Sequence, residues 1–265
     1  MRIIVPIKQV PETSAVKMDE ATGTMIREGV EAIVNPLDLY AIETALVLRE
    51  QYGGEVTVVS MGPPKADRAV REAIAMGCDR GVLLSDKAFA GSDTWATSYA
   101  LAGAIRKLGT FDLVICGERA TDGDTGQVGP GLASFLDLPV ATYVGKIESA
   151  ADGHVRVHRL VEDGHEVLDV ALPAVLTVVK AIASPRLPTL HGKRRAKAAQ
   201  VPVWVPKDLA LDASKLGLEG SPTRVVKIFK PKITRQCQKL LAGDEQAVAA
   251  AVDKLVAFLR AKALL

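Results

Sequence analysis

Short apolar runs alternate with helix-length stretches through the first half of the chain. RIIVPIKQV, EVTVVSM, RGVLLSD and FDLVICG are the apolar runs, and helical patterns begin at about Pro36, at Lys65, at Asp93 and after the loop that follows FDLVICG. Runs so uniformly apolar read as strands buried on both faces, and their alternation with helices predicts an α/β fold. The expected architecture is a doubly wound parallel sheet with strand order 3-2-1-4-5, covered by helices on both faces. Asn35 before Pro36 is expected to cap one helix, and Ser92 with Asp93 to open the one over ATSYALAGAI.

Two insertions interrupt this rhythm. KMDEATGTMIRE reads as a hairpin turning at Ala21 to Gly23, and HVRVHRL with EVLDVAL as a second, turning at Glu162 to Gly164 and leading into AVLTVV. From Ser184 the pattern dissolves into PRLPTLHGKRRAKAAQVPVWVPKD, where prolines and charges predict an extended arm rather than another core layer. A last helix places Val248, Val252, Leu255, Val256 and Leu259 on one face, a stripe that must dock on something. The expected division is a nucleotide-binding α/β domain over 1–183, then an arm and helix over 184–265 that contact other proteins.

Composition narrows the class. With 48% hydrophobic and 24% charged residues in 265, the chain is an ordinary globular one. Its most apolar stretch, VLDVALPAVLTVVKAIA, is broken by Asp169, Pro173 and Lys180 too soon for a membrane span, and MRIIVPIKQV lacks a cleavage site, so a cytoplasmic protein is expected. Cys78, Cys116 and Cys237 are scattered, which suggests neither a disulfide framework nor a metal or iron–sulfur site. The net charge of +2 conceals an asymmetry: residues 184–235 hold 12 Lys and Arg against 3 Asp and Glu, whereas residues 1–183 hold 17 against 25. An acidic body carries a basic arm. The arm lacks interleaved aromatics, which argues against nucleic acid.

The stretch CGERATDGDTGQVGPGLASFL, 116–136, lies where such sheets bind ligands, beyond the carboxyl end of the fourth strand. Its glycines let the backbone approach a ligand, and its N–H groups with the next helix N-terminus form an anion site. Thr125 and Gln127 add neutral groups suited to phosphate or ribose, but Asp122 and Asp124 would repel a phosphate unless they bond loop N–H groups or sugar hydroxyls. No GxxxxGK[ST] is present, so binding without hydrolysis fits. The alternative is a glycine-rich turn whose aspartates merely cap. GSDTWATS, 91–98, is a second Gly-led helix start on the same side, for which plain capping is the simpler reading. No Ser/His/Asp or Cys/His set is legible.

These residues resemble the β (small) subunit of electron transfer flavoprotein nearly end to end. IIVPIKQVPET, VNPLDLYAIETAL, VSMGPP, AMGCDRGVLL and DGDTGQVGP occur in the family's order, and Val157, Arg159, Glu162, Asp163, Gly164, Glu166, Leu168, Pro173 and Val175 to Thr177 match its signature. The resemblance implies an adenine-nucleotide crevice and a larger α subunit carrying FAD. Carried over by position, the ligand would touch Pro6, Asn35, Pro36, Leu37, Asp38 and Met61 on one side. On the other it would touch Gly117 and the run Asp122, Gly123, Asp124, Thr125, Gly126, Gln127, Val128, Gly129 and Pro130, as far as Leu132.

Housekeeping members hold AMP there and resemble DDDCNQTGQ, whereas Gly123 and Gly129-Pro130 here make room for a diphosphate. FAGSDTWAT resembles the electron-bifurcating and nitrogen-fixation-associated types, in which Gly91, Ser92, Asp93 and Thr94 would face NAD. The resemblance thus implies FAD as cofactor, AMP being the alternative, and NADH as electron source. The electrons would pass to an acyl-CoA dehydrogenase-type or quinone-reducing partner and to ferredoxin or flavodoxin. PRLPTLHGKRRAKA resembles the loop that grips the dehydrogenase, with Leu190 as its anchor. The side chains would do no covalent chemistry, and an aromatic content of 4% argues against an aromatic cage for the flavin. A housekeeping carrier and a stress-type nucleotide-binding sensor are the other readings.

Overall fold

The computed structural model describes residues 1–12, 32–226 and 237–265, together with the backbone at 17–18 and 25–26. The chain begins with β1 (Arg2–Ile7) and passes through β2 (Gln9–Pro11), β3 (Lys17–Met18), β4 (Met25–Ile26) and β5 (Ala32–Val34). Strands and helices then alternate: α1 (Asp38–Tyr52), β6 (Glu55–Met61), α2 (Asp67–Met76), β7 (Arg80–Leu84), α3 (Thr94–Leu108), β8 (Leu113–Gly117) and α4 (Val128–Leu136). Four strands follow, β9 (Val140–Ala151), β10 (His154–Val161), β11 (Gly164–Ala171) and β12 (Ala174–Val178). The remainder holds α5 (Leu190–Ala198), β13 (Val203–Trp204) and α6 (Glu245–Ala261).

One nine-stranded sheet runs β11-β10-β9-β12-β8-β1-β6-β7-β13. Its centre, β7-β6-β1-β8-β12, is parallel throughout and is the 3-2-1-4-5 order that the apolar runs predict. The runs are continuous because both faces are covered. Ile3, Val5 and Ile7 enter the core beneath α1 and α2, while Ile4 enters the opposite core with residues of α3 and α4. The hairpin of β10 and β11 is present, and β9 joins it to the sheet, antiparallel to β10 and parallel to β12. In the first insertion Lys17 pairs with Ile26 and Met18 with Met25, while its expected turn at Ala21 to Gly23 lies outside the described residues.

The stretch after Ser184 departs from the extended arm that its composition predicts. Residues 190–198 are helical and rest on α2, and Val203–Trp204 pairs with β7 as an edge strand. Arginine side chains on both partners tie this segment to α2 by satisfying carbonyls at helix ends. Arg195 donates to Ile74 O and Cys78 O at the end of α2, and Arg71 returns bonds to Ala196 O and Ala199 O at the end of α5. Arg186 anchors the entry to this segment, with its guanidinium on Glu43 and Glu50 of α1 and its backbone N–H on Glu43 Oε2. By contacts the chain divides into Met1–Lys227 and Ile228–Leu265. In the second unit α6 is capped by Asp244, and its Val248, Val252, Leu255 and Phe258 are exposed.

Glu43 is buried, and Arg186 is its cationic partner. Arg186→Met therefore strands a charge in the interior and is expected to cost about 2–3 kcal/mol in urea unfolding, discounted for the part-exposed arginine. The double variant Arg186→Met/Glu43→Met should recover most of that loss. A single variant as stable as the parent would show that the pair contributes nothing.

Candidate functional site

Strand order reverses between β1 and β8, so the connections leaving them diverge to opposite faces and open a crevice at their carboxyl ends. Asn35 closes its floor. It is fully buried, and it is not the helix cap that its place before Pro36 predicts: the cap position of α1 is Leu37, which has no side-chain cap bond. The Asn35 amide instead spans the crevice, its Nδ2 donating to Arg119 O at 2.9 Å and its Oδ1 accepting from Thr121 N–H at 3.1 Å. Its backbone is committed as well, since Asn35 N–H reaches Lys8 O and Asn35 O accepts from Asp38 N–H.

The loop from Glu118 to Gln127 resolves the difficulty that its aspartates pose. Asp122 is paired with Lys8 Nζ at 2.7 Å, and Asp124 with Arg119 Nε at 3.1 Å. Asp124 has φ +52° and donates its N–H to Ala120 O, which folds the loop back on itself. With both carboxylates answered, the N–H groups of Gly123, Thr125 and Gly126 have no partner among the described residues and lie at or near the surface. The first turn of α4 adds its own unpaired donors. Open backbone donors beside neutralised carboxylates suit an anionic, hydroxyl-bearing ligand.

The glycines divide by role. Gly126 has φ +64°, which a side chain tolerates poorly. Gly129 is a packing position, because a Cβ there would overlap Thr177 of β12, so it is the sheet that keeps it small. Gly123 has open space around it. At the strand end, a Cβ on Gly117 would lie 2.5 Å from Asp38 Oδ1, which ties that carboxylate to β8. Pro6 is buried within β1, Met61 ends β6 at the same edge, Pro36, Thr125 and Gln127 are exposed, and Val128, Pro130 and Leu37 are half-buried. Leu132 belongs to the core under the sheet.

The second helix start is adjacent to this loop. Ser98 Oγ lies 2.7 Å from Thr94 O and 3.3 Å from Val128 O, joining the first turns of α3 and α4. Its donors, however, are largely spent within the chain. Asp93 caps α3 through Trp95 N–H and Ala96 N–H, and its other oxygen takes Thr223 N–H and Oγ1. Asp93 N–H donates to Ser221 Oγ, Ser92 Oγ returns to Phe89 O, and Gly91, at φ +76°, lies against Leu218. Desolvation pushes the Asp93 carboxyl up, but the bonds from Ala96, Thr223 and Trp95 outweigh it and hold the group below the usual carboxylate range. Leu190 sits apart as the first residue of α5, 80% exposed, beside Leu187 at 85%.

Away from the crevice, an open cleft lined by Met1, Tyr52, Asp112 and Gly153 lies at the amino edge of the sheet. Its polar groups are already used: Asp112 accepts Arg2 N–H and the Tyr52 hydroxyl accepts Ala150 N–H. Burial pushes the Cys116 thiol upward, with the nearby Asp38 adding to it, so that thiol is inert packing.

Asp38 is the one carboxylate at the crevice floor raised far from its ordinary value, from 3.8 to about 7. Burial dominates, opposed by the Lys8 N–H bond at 2.7 Å and by Asn35. The fold favours the neutral acid, so the contribution is fully present below pH 4 and is lost as pH rises toward 7. Asp38→Asn keeps an oxygen for Lys8 N–H and removes the ionisation. Its stability relative to the parent should improve between pH 4 and pH 8 by on the order of a few kcal/mol. Parallel stability–pH curves for the two proteins would refute this.

Comparison with known proteins places the chain. Residues 22–209 match the electron transfer flavoprotein domain. The chain is 46% identical over 256 residues to the electron transfer flavoprotein subunit beta of Thermoanaerobacterium thermosaccharolyticum, covering 96% of this chain and 98% of that one. It is 49% identical over 232 residues to the caffeyl-CoA reductase-Etf complex subunit CarD of Acetobacterium woodii, covering 87% and 88%. It is 46% identical over 264 residues to protein FixA of Azorhizobium caulinodans, covering 97% and 93%. No helix among the described residues is long and apolar enough to cross a membrane. With that domain spanning most of the sheet and relatives aligned almost end to end, the chain belongs to the electron transfer flavoprotein family.

Proposed function

We propose that this chain is the β subunit of a bifurcating electron transfer flavoprotein, holding FAD in the crevice between β1 and β8. Paired with an α subunit that carries a second FAD, it takes two electrons from NADH. One path leads to a high-potential acyl-CoA dehydrogenase-type or quinone-reducing partner, and the other to a low-potential ferredoxin or flavodoxin. The observation that carries this reading is the loop 118–127, whose aspartates are neutralised by Lys8 and Arg119 while its N–H groups stay open. Likeness to CarD and to FixA supports the bifurcating type over the AMP-holding one.

The bound flavin would supply the redox chemistry, and the side chains hold and orient it. Gly123, Thr125 and Gly126 would donate to the diphosphate, while Asn35 keeps their loop in register. NADH is the proposed electron source, and for its pyrophosphate to reach Gly91 to Thr94 the Thr223 and Ser221 contacts of Asp93 must open. Leu190, exposed at the head of α5, is proposed to anchor the dehydrogenase partner, and the apolar stripe of α6 to dock on the α subunit. We place the assembly in the cytoplasm.

Co-expression with the cognate α subunit and extraction of nucleotides should yield two FAD per heterodimer and reduction by NADH. One FAD with one AMP, and no reduction by NADH, would replace this reading with the housekeeping one. Gly123→Val makes a sharper probe than any change at Gly129, because no protein atom obstructs the new side chain. Its unfolding stability should match the parent within about 0.5 kcal/mol, as for surface changes generally. Its crevice nucleotide should be lost while the α-subunit flavin remains. Full retention of that nucleotide would mean that the ligand does not approach Gly123.

A further inference from the structure

Tyr143 occupies a position that an aromatic residue rarely takes. Pairing between β9 and β12 slips there: Leu176 faces Ala141 and Val178 faces Val144, so Thr142 and Tyr143 together oppose Thr177 alone. That is a bulge, a device that re-aims a side chain beside a site. Tyr143 has φ +56°, in the left-handed region that bulky residues avoid, and its N–H is held by Thr177 Oγ1 at 3.1 Å. Tyr143 is nonetheless 47% exposed, and neither its ring nor its hydroxyl has a stacking or hydrogen-bonding partner among the described residues. The chain thus adopts an unfavourable backbone and obtains no internal side-chain bond in return.

The ring lies beside the ligand loop. Its hydroxyl is 4.0 Å from the point where a Cβ on Gly126 would stand. Val144 pairs with Val178, and Val178 with Gly117, so Tyr143 stands at the carboxyl edge of the sheet, level with the start of the loop. It is on the far side of that loop from Pro6 and Met61, three strand spacings or ~14 Å from β1. A mononucleotide bound with its base over the β1 and β6 side would end at its phosphate on the loop, whereas a dinucleotide bound the same way would continue past the phosphates toward β9.

We infer that Tyr143 is a positioning residue for the flavin half of a dinucleotide in this crevice, its ring face forming one wall for the isoalloxazine. This rests on the reading that FAD occupies the crevice. A single ring placed by a bulge agrees with the expectation, drawn from low aromatic content, that no aromatic cage surrounds the flavin. Thr177 holds the bulge on one side and packs against Gly129 of α4 on the other, so the same residue locates both the ring and the helix start below the loop.

The test uses the heterodimer depleted of its crevice nucleotide, titrated calorimetrically with FAD and, separately, with AMP. Tyr143→Gly should weaken FAD binding about 10-fold or more, the scale of losing one ring stacked on a base, and leave AMP binding unchanged. Tyr143→Phe should bind FAD like the parent. Because glycine suits φ +56°, the melting temperature of depleted Tyr143→Gly should equal or exceed the parent's. A lower melting temperature together with FAD loss would assign Tyr143 a merely structural role and overturn the inference. Equal FAD affinity in Tyr143→Gly and parent, or failure of Tyr143→Phe alongside Tyr143→Gly, would overturn it too. A parent that binds AMP but not FAD would remove the bifurcating reading and this inference together, an outcome distinguishable from the others because it appears before any substitution.

Discussion

One buried amide holds the site together. Where strand order reverses, the segments leaving β1 and β8 part company, and nothing in the sheet ladder links them beyond the last strand pairs. Asn35 supplies the link by donating to Arg119 O and accepting from Thr121 N–H. Both are backbone groups, so the bond fixes the path of the loop and leaves its side chains free. Because the amide is fully buried, losing either bond would leave a polar group unsatisfied in the interior, a cost of about 1–3 kcal/mol. The loop's open N–H groups downstream inherit their direction from this clamp.

Charge around the clamp is arranged to the same end. An acidic loop next to a candidate anion site looks self-defeating, yet each loop aspartate has a cation, and both cations come from the crevice: Lys8 follows β1 and Arg119 follows β8. These pairs are partly exposed and contribute little to stability, about 0–1 kcal/mol each. Their effect is local, since neutral ion pairs leave the N–H donors as the uncompensated dipoles facing outward. Asp38, raised to about 7 chiefly by burial, carries less than a full negative charge near neutral pH, which keeps the crevice floor from opposing an anion.

The sheet and its order were legible because two-sided burial leaves a plain mark: Ile3 to Ile7 and Leu113 to Cys116 are apolar throughout, and Val56 to Val59 is apolar except at the buried Thr57. The loop's glycines and its place after a strand mark it in the sequence as the candidate ligand site. What stayed hidden were partners distant in sequence. Lys8 and Asp122 are 114 residues apart, and Asn35 and Arg119 are 84 apart, so no local pattern reports either pair. Local rules also misassigned Asn35, because Asn-Pro signals a cap whether or not a more demanding bond claims the amide. After Ser184, Arg195, which composition counts with the basic arm, is bonded to the carbonyl end of α2, while Arg71 of α2 is bonded to that of α5, and only the tertiary contact reveals either.

Gly129 and Thr177 show why the site cannot be read one residue at a time. From sequence, Gly129 is a glycine of the ligand loop; in the fold it is the close approach that lets α4 start against β12. Thr177 fills that approach with its methyl and uses its hydroxyl to hold Tyr143 N–H at the neighbouring bulge. A single β12 side chain therefore sets where the α4 dipole begins and where β9 bends. Replacing Thr177 by Val would preserve the packing and release the bulge, whereas replacing it by Ser would preserve the hydrogen bond and loosen the helix. The two functions of that threonine are chemically separable even though they share one Cβ, and each controls a different side of the crevice.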